Sequence, residues 1–78
     1  MFCVYAIQSS VTSRVYVGQT RDLEARLAAH NAGRVRSTQH DRPWSVVKAD
    51  RCETREAARW LEFRLKSSRG RREKWLRD

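Results

Sequence analysis

Apolar and polar residues along the chain form short blocks whose periods predict three strands. Residues 2–7 are an apolar run with β-branched and aromatic side chains, which indicates a strand buried on both faces. Residues 8–13 are the polar connector of a hairpin, and residues 14–17 form the second strand, which we expect Gly18 to end. Residues 44–49 return as a third strand. The pattern therefore predicts a hairpin and a later third strand.

The register of the hairpin decides whether its two tyrosines share a face, because side chains alternate between the faces of a sheet. If Gln8 pairs with Ser13 across a four-residue loop, Tyr5 lies opposite Tyr16 and both phenols point the same way. If Gln8 pairs with Arg14 instead, the two tyrosines point apart. We predict the first register, or a bulge with the same result.

The first helix is predicted to follow Thr20, a candidate N-cap with acidic residues after it that suit the positive end of a helix. It runs to about residue 31, and Gly33 stops it. Arg26 and His30 are four residues apart, so they lie one above the other on the helix. A basic polar loop leads from this helix to the third strand.

A second helix is predicted from the candidate N-cap Thr54 to about Ser67. It has an apolar stripe with the spacing i, i+3, i+4, i+7, in which a carboxylate holds one place. The stripe consists of Ala58, Leu61, Glu62 and Leu65. Residues 68–70 are expected to break this helix. Residues 71–76 are expected to form a short terminal helix whose Trp75 docks inward.

The charge of the chain points to an acidic partner. The 78 residues carry a net charge of +8, and arginine accounts for 14 of the 17 basic residues. Arginine presents a planar donor fork that suits phosphate, so nucleic acid is the leading partner class, with an anionic membrane surface behind it. Residues 1–33 have a net charge of +1 and residues 34–78 a net charge of +7. The attraction therefore lies mainly in the second half of the chain.

The two cysteines, Cys3 and Cys52, are too few for a disulfide framework. Nothing in the chain resembles a secretion signal or a membrane span. We therefore expect free, partly buried thiols in a reducing cytosol, and a cytoplasmic location. No cysteine or histidine spacing indicates a zinc site.

Each candidate catalytic or metal-binding residue also has a structural explanation. Tyr5 and Tyr16 are common strand residues, and Arg26 alone is most often a solvated helix residue. A cationic His30 would suit the negative end of a helix. Glu62 is harder to explain in this way, because a carboxylate on an apolar stripe needs a partner or a cation. Its structural explanation is an ion pair with one of the many arginines.

Several residues are candidates for contact with a phosphate backbone. His40 lies in the polar loop, and the arginine-rich stretch after Lys66 is either a solvated face or a backbone-binding strip beside Trp75. Substrate binding is assigned to Gly18, His40, Arg42, Arg69, Arg71 and Arg72.

Taken together, the motifs resemble the GIY-YIG nuclease domain, specifically its small single-domain members, over nearly the whole chain. They are Val4-Tyr5-Ala6 in place of Gly-Ile-Tyr or Val-Tyr-Ile, Tyr16-Val17-Gly18 in place of Tyr-Ile-Gly, the helix with Arg26 and His30, Arg42-Pro43-Trp44, and Thr54-Arg55-Glu56-Ala57 with Glu62. Five elements in order at the family's spacing make the resemblance specific. The departures are the small Ala6, the conservative Val17, and the lack of a late Asn, since the one Asn is Asn31.

The resemblance implies an α+β fold in a single domain, residues 1–78. Its core is a three-stranded antiparallel β-sheet flanked by helices, in the order β-β-α-β-α-α. The resemblance also implies metal-dependent hydrolysis of DNA phosphodiester bonds. Glu62 would hold one Mg²⁺ or Mn²⁺, because these ions take carboxylate, water and phosphate oxygens as ligands.

The resemblance further implies roles for the four residues of the first half. Tyr5 is the favoured general base. A free tyrosine has a pKa of about 10, so Arg26 is expected to lower the pKa of Tyr5 while it grips the scissile phosphate. Tyr16 and His30 would orient the water or the first phenol, or His30 would carry the proton instead. The choice of base among these three residues stays open.

The expected substrate is DNA, single-stranded, flexible or branched, cut with low sequence specificity because no accessory recognition domain accompanies the motifs. A monomer or weak dimer is expected, with no small-molecule cofactor, acting in DNA repair, recombination or nucleic-acid turnover. One alternative is an inactive nucleic-acid-binding module of the same fold. The other is a basic interaction domain for an acidic protein.

Overall fold

The first strand, β1 (Phe2–Ser9), is the middle strand of a three-stranded antiparallel sheet. The computed structural model describes residues 1–78. Strands β2 (Val15–Thr20) and β3 (Trp44–Cys52) lie on either side of β1. Residues 4–7 of β1 have no exposed surface, which confirms the prediction of a strand buried on both faces.

Three helices cover the two faces of this sheet. They are α1 (Leu23–Asn31), α2 (Arg55–Ser67) and α3 (Arg69–Arg77), so the predicted fold class and element order are confirmed. Helices α2 and α3 pack on the face that carries Val4 and Ala6. Helix α1 packs on the opposite face, which carries Tyr5. None of the three helices combines the length and the apolar character needed to span a bilayer.

The hairpin register differs from the predicted one by two residues. Gln8 pairs with Val15, so Tyr5 lies opposite Gly18 and not opposite Tyr16. The predicted pairing is therefore wrong. A shift by an even number of residues keeps each side chain on its face, and the two phenol rings lie on the same face with centroids 6.4 Å apart. The prediction that the tyrosines share a face is confirmed.

The hydroxyl of Ser9 explains the longer hairpin loop. Its Oγ accepts hydrogen bonds from the backbone N–H groups of Val11 and Thr12, and it donates to the carbonyl of Asp41 at 2.6 Å. This arrangement closes a turn at the end of β1 and leaves residues 10–14 between the strands. Strand β2 consequently begins at Val15, one residue later than expected.

Two boundaries around β2 and α1 were predicted wrongly. Strand β2 does not end at Gly18 but continues to Thr20. The N-cap of α1 is Asp22, whose carboxylate accepts the N–H of Ala25, and not Thr20. Asp22 is the better N-cap of the two because its negative charge also interacts favourably with the positive end of the helix.

The C-terminal end of α1 agrees with the prediction. Gly33 adopts a positive φ of 79°, which glycine tolerates without steric cost. The N–H of Gly33 bonds to the carbonyl of His30, and the N–H of Arg34 bonds to the carbonyl of Ala29. This pair of bonds is a Schellman cap, and it ends the helix directly after His30 and Asn31.

Strand β3 and helix α3 are longer than predicted. Strand β3 extends to Cys52 because Phe2, at the start of β1, pairs with it. Helix α3 begins at Arg69, since Ser68 accepts the N–H of Arg71 as an N-cap, and the expected break is reduced to that one residue. Trp75 docks inward as predicted and donates its indole N–H to Asp50 at 2.6 Å. The N-cap Thr54 and the end of α2 at Ser67 are also confirmed.

Candidate active site

The hydroxyl of Tyr5 lies 2.8 Å from Nε2 of His30, and neither residue has exposed surface. Tyr5 projects from the middle of β1, and His30 projects from the last turn of α1, which packs on the same face of the sheet. The other ring nitrogen of His30, Nδ1, lies 2.8 Å from Oγ1 of Thr38 in the loop after α1. Both nitrogens of this buried imidazole therefore have partners.

The contacts of Thr38 favour one tautomer of His30. If the Thr38 hydroxyl donates to the carbonyl of Val35, 3.3 Å away, its oxygen is the acceptor for a proton on Nδ1. Nε2 is then left as the acceptor, and the Tyr5 hydroxyl donates to it. In this arrangement the imidazole is ready to take a proton from the phenol.

Arg26 and Tyr16 complete a cluster with this pair. The ring of Tyr16 lies 5.1 Å from the ring of His30 and 6.4 Å from the ring of Tyr5, between centroids. Arg26, one turn before His30, places its guanidinium against both phenols, and contact with Tyr5 is the main reason that its pKa is raised. Tyr16 and Arg26 are partly buried. They are the members of the cluster that solvent can reach.

Burial controls the proton affinities of the inner pair. It raises the pKa of Tyr5 above its usual value, although Arg26 acts in the opposite direction. The net decrease that we expected for Tyr5 is therefore not what the structure shows. Burial, assisted by the charge of Arg26, lowers the pKa of His30, so the imidazole is neutral near pH 7. Of the two groups, His30 is the better proton acceptor.

Gly18 lies directly beneath the two phenols. A Cβ atom at this position would be 2.8 Å from the hydroxyl oxygen of Tyr5 and 3.1 Å from Cε1 of Tyr16. The first contact is shorter than Cβ atoms make and the second is tight, so a side chain at residue 18 would require the Tyr5 hydroxyl to shift. Gly18 thus belongs to the cluster by providing space, inside a strand that continues past it.

Glu62 approaches the cluster from α2 through Lys66. Its carboxylate, 18% exposed, forms an ion pair with Nζ of Lys66 at 2.7 Å. The same ammonium lies 5.6 Å from the ring centroid of Tyr16 on the edge strand β2. The side chain on the apolar stripe therefore has a cation beside it, as expected, but the cation is a lysine and not an arginine.

Comparison with known proteins shows the family of the chain. A model of the GIY-YIG catalytic domain matches residues 1–74. The chain belongs to the GIY-YIG family. It is also 35% identical over 66 residues to a UPF0213 protein of Bacillus velezensis, an alignment that covers 82% of this chain and 67% of that protein. No solved structure matches the chain. The resemblance inferred from the motifs is thus confirmed, and the chain has the domain of a nuclease family.

Five residues that we assigned to substrate binding lie outside the cluster of Tyr5, Tyr16, Arg26 and His30 in this GIY-YIG domain. None of them forms a hydrogen bond or ion pair with Tyr5, Tyr16, Arg26 or His30. His40 meets Gln39, Arg42 packs on Gly33, and Arg69 pairs with Glu73. Arg71 and Arg72 are on α3, which packs on the other face of the sheet. Their roles stay predictions.

Two residues that contact the candidate site, Thr38 and Lys66, were not predicted from the sequence. Lys66 could have been found, because a lysine four residues after a glutamate on a helix is a standard ion-pair spacing. The sequence contains no comparable signal for Thr38. It lies in an irregular loop, and its contact with His30 depends on how the folded loop is positioned. Asn31, the one asparagine, binds the backbone N–H and C=O of Trp44 and so ties α1 to β3.

Proposed function

We propose that this domain is a divalent-metal-dependent endonuclease that hydrolyses DNA phosphodiester bonds with low sequence specificity. The observation that carries the proposal is the buried hydrogen bond between Tyr5 and a neutral His30, with the guanidinium of Arg26 beside it. A phenol and an imidazole in this relation can accept a proton from water. The guanidinium supplies the positive charge that a phosphate needs at the same place.

The residues near Tyr16 suit a divalent ion. The Lys66 ammonium, 2.7 Å from a Glu62 carboxylate oxygen and 5.6 Å from the ring centroid of Tyr16, supports this proposal because it puts a positive charge near both residues. No group of three or more acidic, cysteine or histidine side chains could hold a metal by itself. One carboxylate, with water and phosphate oxygens as the other ligands, matches the usual habit of Mg²⁺. We assign Glu62 as the residue that would hold one Mg²⁺ or Mn²⁺, whose charge would stabilise the phosphate oxygens during cleavage.

The proton of the attacking water is proposed to end on His30. Because the pKa of Tyr5 is raised, a free phenolate would be costly to form. A concerted transfer avoids it: the Tyr5 oxygen accepts the proton of the water while its own proton passes to Nε2 of His30. The O–H bond of the water breaks as its oxygen attacks phosphorus, the P–O3′ bond breaks, and the departing 3′ oxygen takes a proton from a solvent water. The alternative is that Tyr16, the more accessible phenol, meets the water first.

Arg26 is proposed to bind the scissile phosphate. Its guanidinium lies beside the two phenols, and the residue is partly exposed. A phosphate oxygen bound by this guanidinium would therefore lie close to the Tyr5 hydroxyl. A planar fork can hold two oxygens of one phosphate, which fixes the direction of attack.

A cleavage assay tests the proposal. Single-stranded, duplex and branched DNA are incubated with the protein and Mg²⁺ or Mn²⁺. Glu62→Gln is compared with Glu73→Gln, which removes the same charge from an exposed site on α3. We expect the wild type and Glu73→Gln to cut, and Glu62→Gln to bind DNA without cutting. Equal cutting by both variants would refute the metal site.

The same assay separates the two other candidate functions. DNA binding that falls steeply with salt, with no cutting under any metal, would indicate an inactive binding module. If the protein neither binds nor cuts DNA, the result would favour a basic interaction domain for an acidic protein. The complete set of Tyr5, Tyr16, Arg26, His30 and Glu62 favours the enzyme over both.

A further inference from the structure

A cavity of about 290 Å³ lies where the end of β2 meets the start of α2. Three arginines line it: Arg21 follows β2, Arg55 is the first residue of α2, and Arg59 lies one turn further on. The remaining lining residues are Phe2, Gln19 and Thr20. No carboxylate is among them, so the cavity presents positive charge only.

The ring of Phe2 holds two of the guanidinium groups. The Cζ atoms of Arg21 and Arg55 lie 5.4 and 5.7 Å from its centroid. Such contacts fix a guanidinium plane and leave its N–H groups free to bind an anion. The three ion pairs of the protein involve other residues, so neither these arginines nor Arg59 has an acidic partner. Like charges are thus gathered around a cavity without neutralisation.

We propose that this cavity binds a backbone phosphate of the DNA strand, next to the bond that is cleaved. The inference rests on the proposed function, which supplies the strand. Phosphate is favoured because converging guanidinium forks match its oxygens. The cavity also lies at the N-terminal end of the 13-residue helix α2, where the backbone dipoles add positive potential.

Strand β2 connects the cavity directly with the catalytic cluster. Gln19 and Thr20, which line the cavity, follow Gly18 along the strand. Gly18 lies beneath Tyr5. The cavity is on the face of the sheet that α2 covers, and Tyr5 is on the other face, but β2 is the edge strand. A polynucleotide bound at Tyr5 would therefore reach the arginines by passing round this edge at the end of β2.

Helix α2 provides a second connection. One flank carries residues spaced i, i+4, i+7 and i+11, which are Arg55, Arg59, Glu62 and Lys66. At about 1.5 Å per residue, Arg59 lies about 4.5 Å and Arg55 about 10 Å from Glu62 along the helix axis. A phosphate in the cavity would consequently be a neighbour of the scissile phosphate on the same strand, and not the scissile phosphate itself.

Salt-dependent binding tests the inference without requiring cleavage. A fluorescent single-stranded oligonucleotide is titrated in a Glu62→Gln background, without metal, at several salt concentrations. Arg55→Gln with Arg59→Gln is compared with Arg34→Gln and Arg77→Gln, which remove the same charge from exposed sites elsewhere. For the cavity pair we expect lower affinity than for the control pair. We also expect a slope of log affinity against log salt that is shallower by about 0.7 for each phosphate that the variant no longer neutralises.

The outcomes separate the cavity from the proposed function. If the two pairs have equal affinities and slopes and the wild type still cleaves DNA, phosphate binding in the cavity would be refuted but the proposed function would not. A wild type that neither binds nor cleaves DNA would overturn both. Thermal unfolding of each variant checks that the variant is still folded. In NMR titrations, the amides of Gln19 and Thr20 should shift with a thymidine dinucleotide; a response to inorganic phosphate only would refute the assignment to a strand.

Discussion

Gly18 and Tyr5 face each other across the first two strands so closely that a Cβ atom on residue 18 would lie 2.8 Å from the Tyr5 hydroxyl oxygen. The hydroxyl cannot move away without leaving Nε2 of His30, to which it is hydrogen bonded. The position of the proposed proton relay therefore depends on the absence of a side chain at residue 18.

Gly18→Ala should damage the site more than the fold. The added methyl group must displace the Tyr5 ring, and such overpacking costs about 1–3 kcal/mol in a buried site. We expect a folded protein whose cleavage rate falls at least as far as that of Tyr5→Phe. Circular dichroism and the cleavage assay measure the two effects. Full activity in Gly18→Ala would show that the position of the Tyr5 hydroxyl does not matter.

The buried His30 should make the stability of the domain depend on pH. Its folded-state pKa lies below the unfolded value of 6.5, so between these two values only the unfolded chain takes up the proton. The free energy of unfolding should therefore fall as the pH is lowered below 6.5, by at most about 1.4 kcal/mol per pH unit. Above pH 6.5 this residue is neutral in both the folded and the unfolded state, so it no longer makes the free energy of unfolding depend on pH.

Urea unfolding at a series of pH values, in the wild type and in His30→Gln, measures this dependence. The variant should show a smaller loss of stability between pH 7 and pH 5 than the wild type. His40→Gln is the matched control, because His40 is exposed and its ring meets only Gln39. The same slope in all three proteins would contradict the assignment of this pH dependence to His30.

Thr38→Val should affect both folding and catalysis through His30. The substitution keeps the shape of the side chain but leaves Nδ1–H of a buried imidazole without its acceptor, at a cost of about 1–3 kcal/mol. It also removes the group that reserves Nε2 for Tyr5. Thr38→Ser retains the hydroxyl and serves as the control. We expect cleavage by the valine variant to fall roughly tenfold relative to the serine variant, an effect of about 1.4 kcal/mol.

NMR of the imidazole nitrogens adds a readout that stability alone would not change. In the wild type the proton should be on Nδ1, and in Thr38→Val a population with the proton on Nε2 should appear. A wild-type His30 protonated on Nε2 would mean that it donates to Tyr5, and the proposed direction of the relay would be wrong.

Two helix boundaries that depend on neighbouring residues in the chain were predicted correctly, although the N-cap of α1 was placed at Thr20 and not at Asp22. The N-cap Thr54 and the stop at Gly33 belong to this group, because capping is decided within one helical turn. The hairpin register was not, since it depends on the hydroxyl of Ser9, which also bonds to Asp41 across the loop. A pattern of apolar residues does not contain that contact.

The site shows the same division. Arg26 and His30 could be paired from their spacing on one helix, and the shared face of the tyrosines followed from the alternation of side chains. The function of Gly18 could not be inferred, because the requirement for space comes from Tyr5 on the adjacent strand. The pKa of Tyr5 was predicted in the wrong direction because the sequence shows the nearby arginine but not the extent of burial.

Lys66 is expected to compete with the metal for Glu62. Its ammonium occupies a position 2.7 Å from a carboxylate oxygen, so a divalent ion at Glu62 must displace it or use the other oxygen. Lys66 is about half exposed, so the ion pair is worth only about 0.4–1 kcal/mol. Lys66→Gln should therefore tighten binding of Mn²⁺ by roughly two- to fivefold, the equivalent factor in an equilibrium constant.

Calorimetric titration of Mn²⁺ into the protein without DNA tests this competition. Lys74→Gln removes the same charge from an exposed position on α3 and controls for the general loss of positive charge. Glu62→Gln should abolish Mn²⁺ binding. Adding Lys66→Gln to Glu62→Gln should therefore not increase the affinity for Mn²⁺. If Lys66→Gln binds Mn²⁺ no more tightly than Lys74→Gln, the ammonium does not occupy the place of the metal, and Glu62 must hold the ion on its other side.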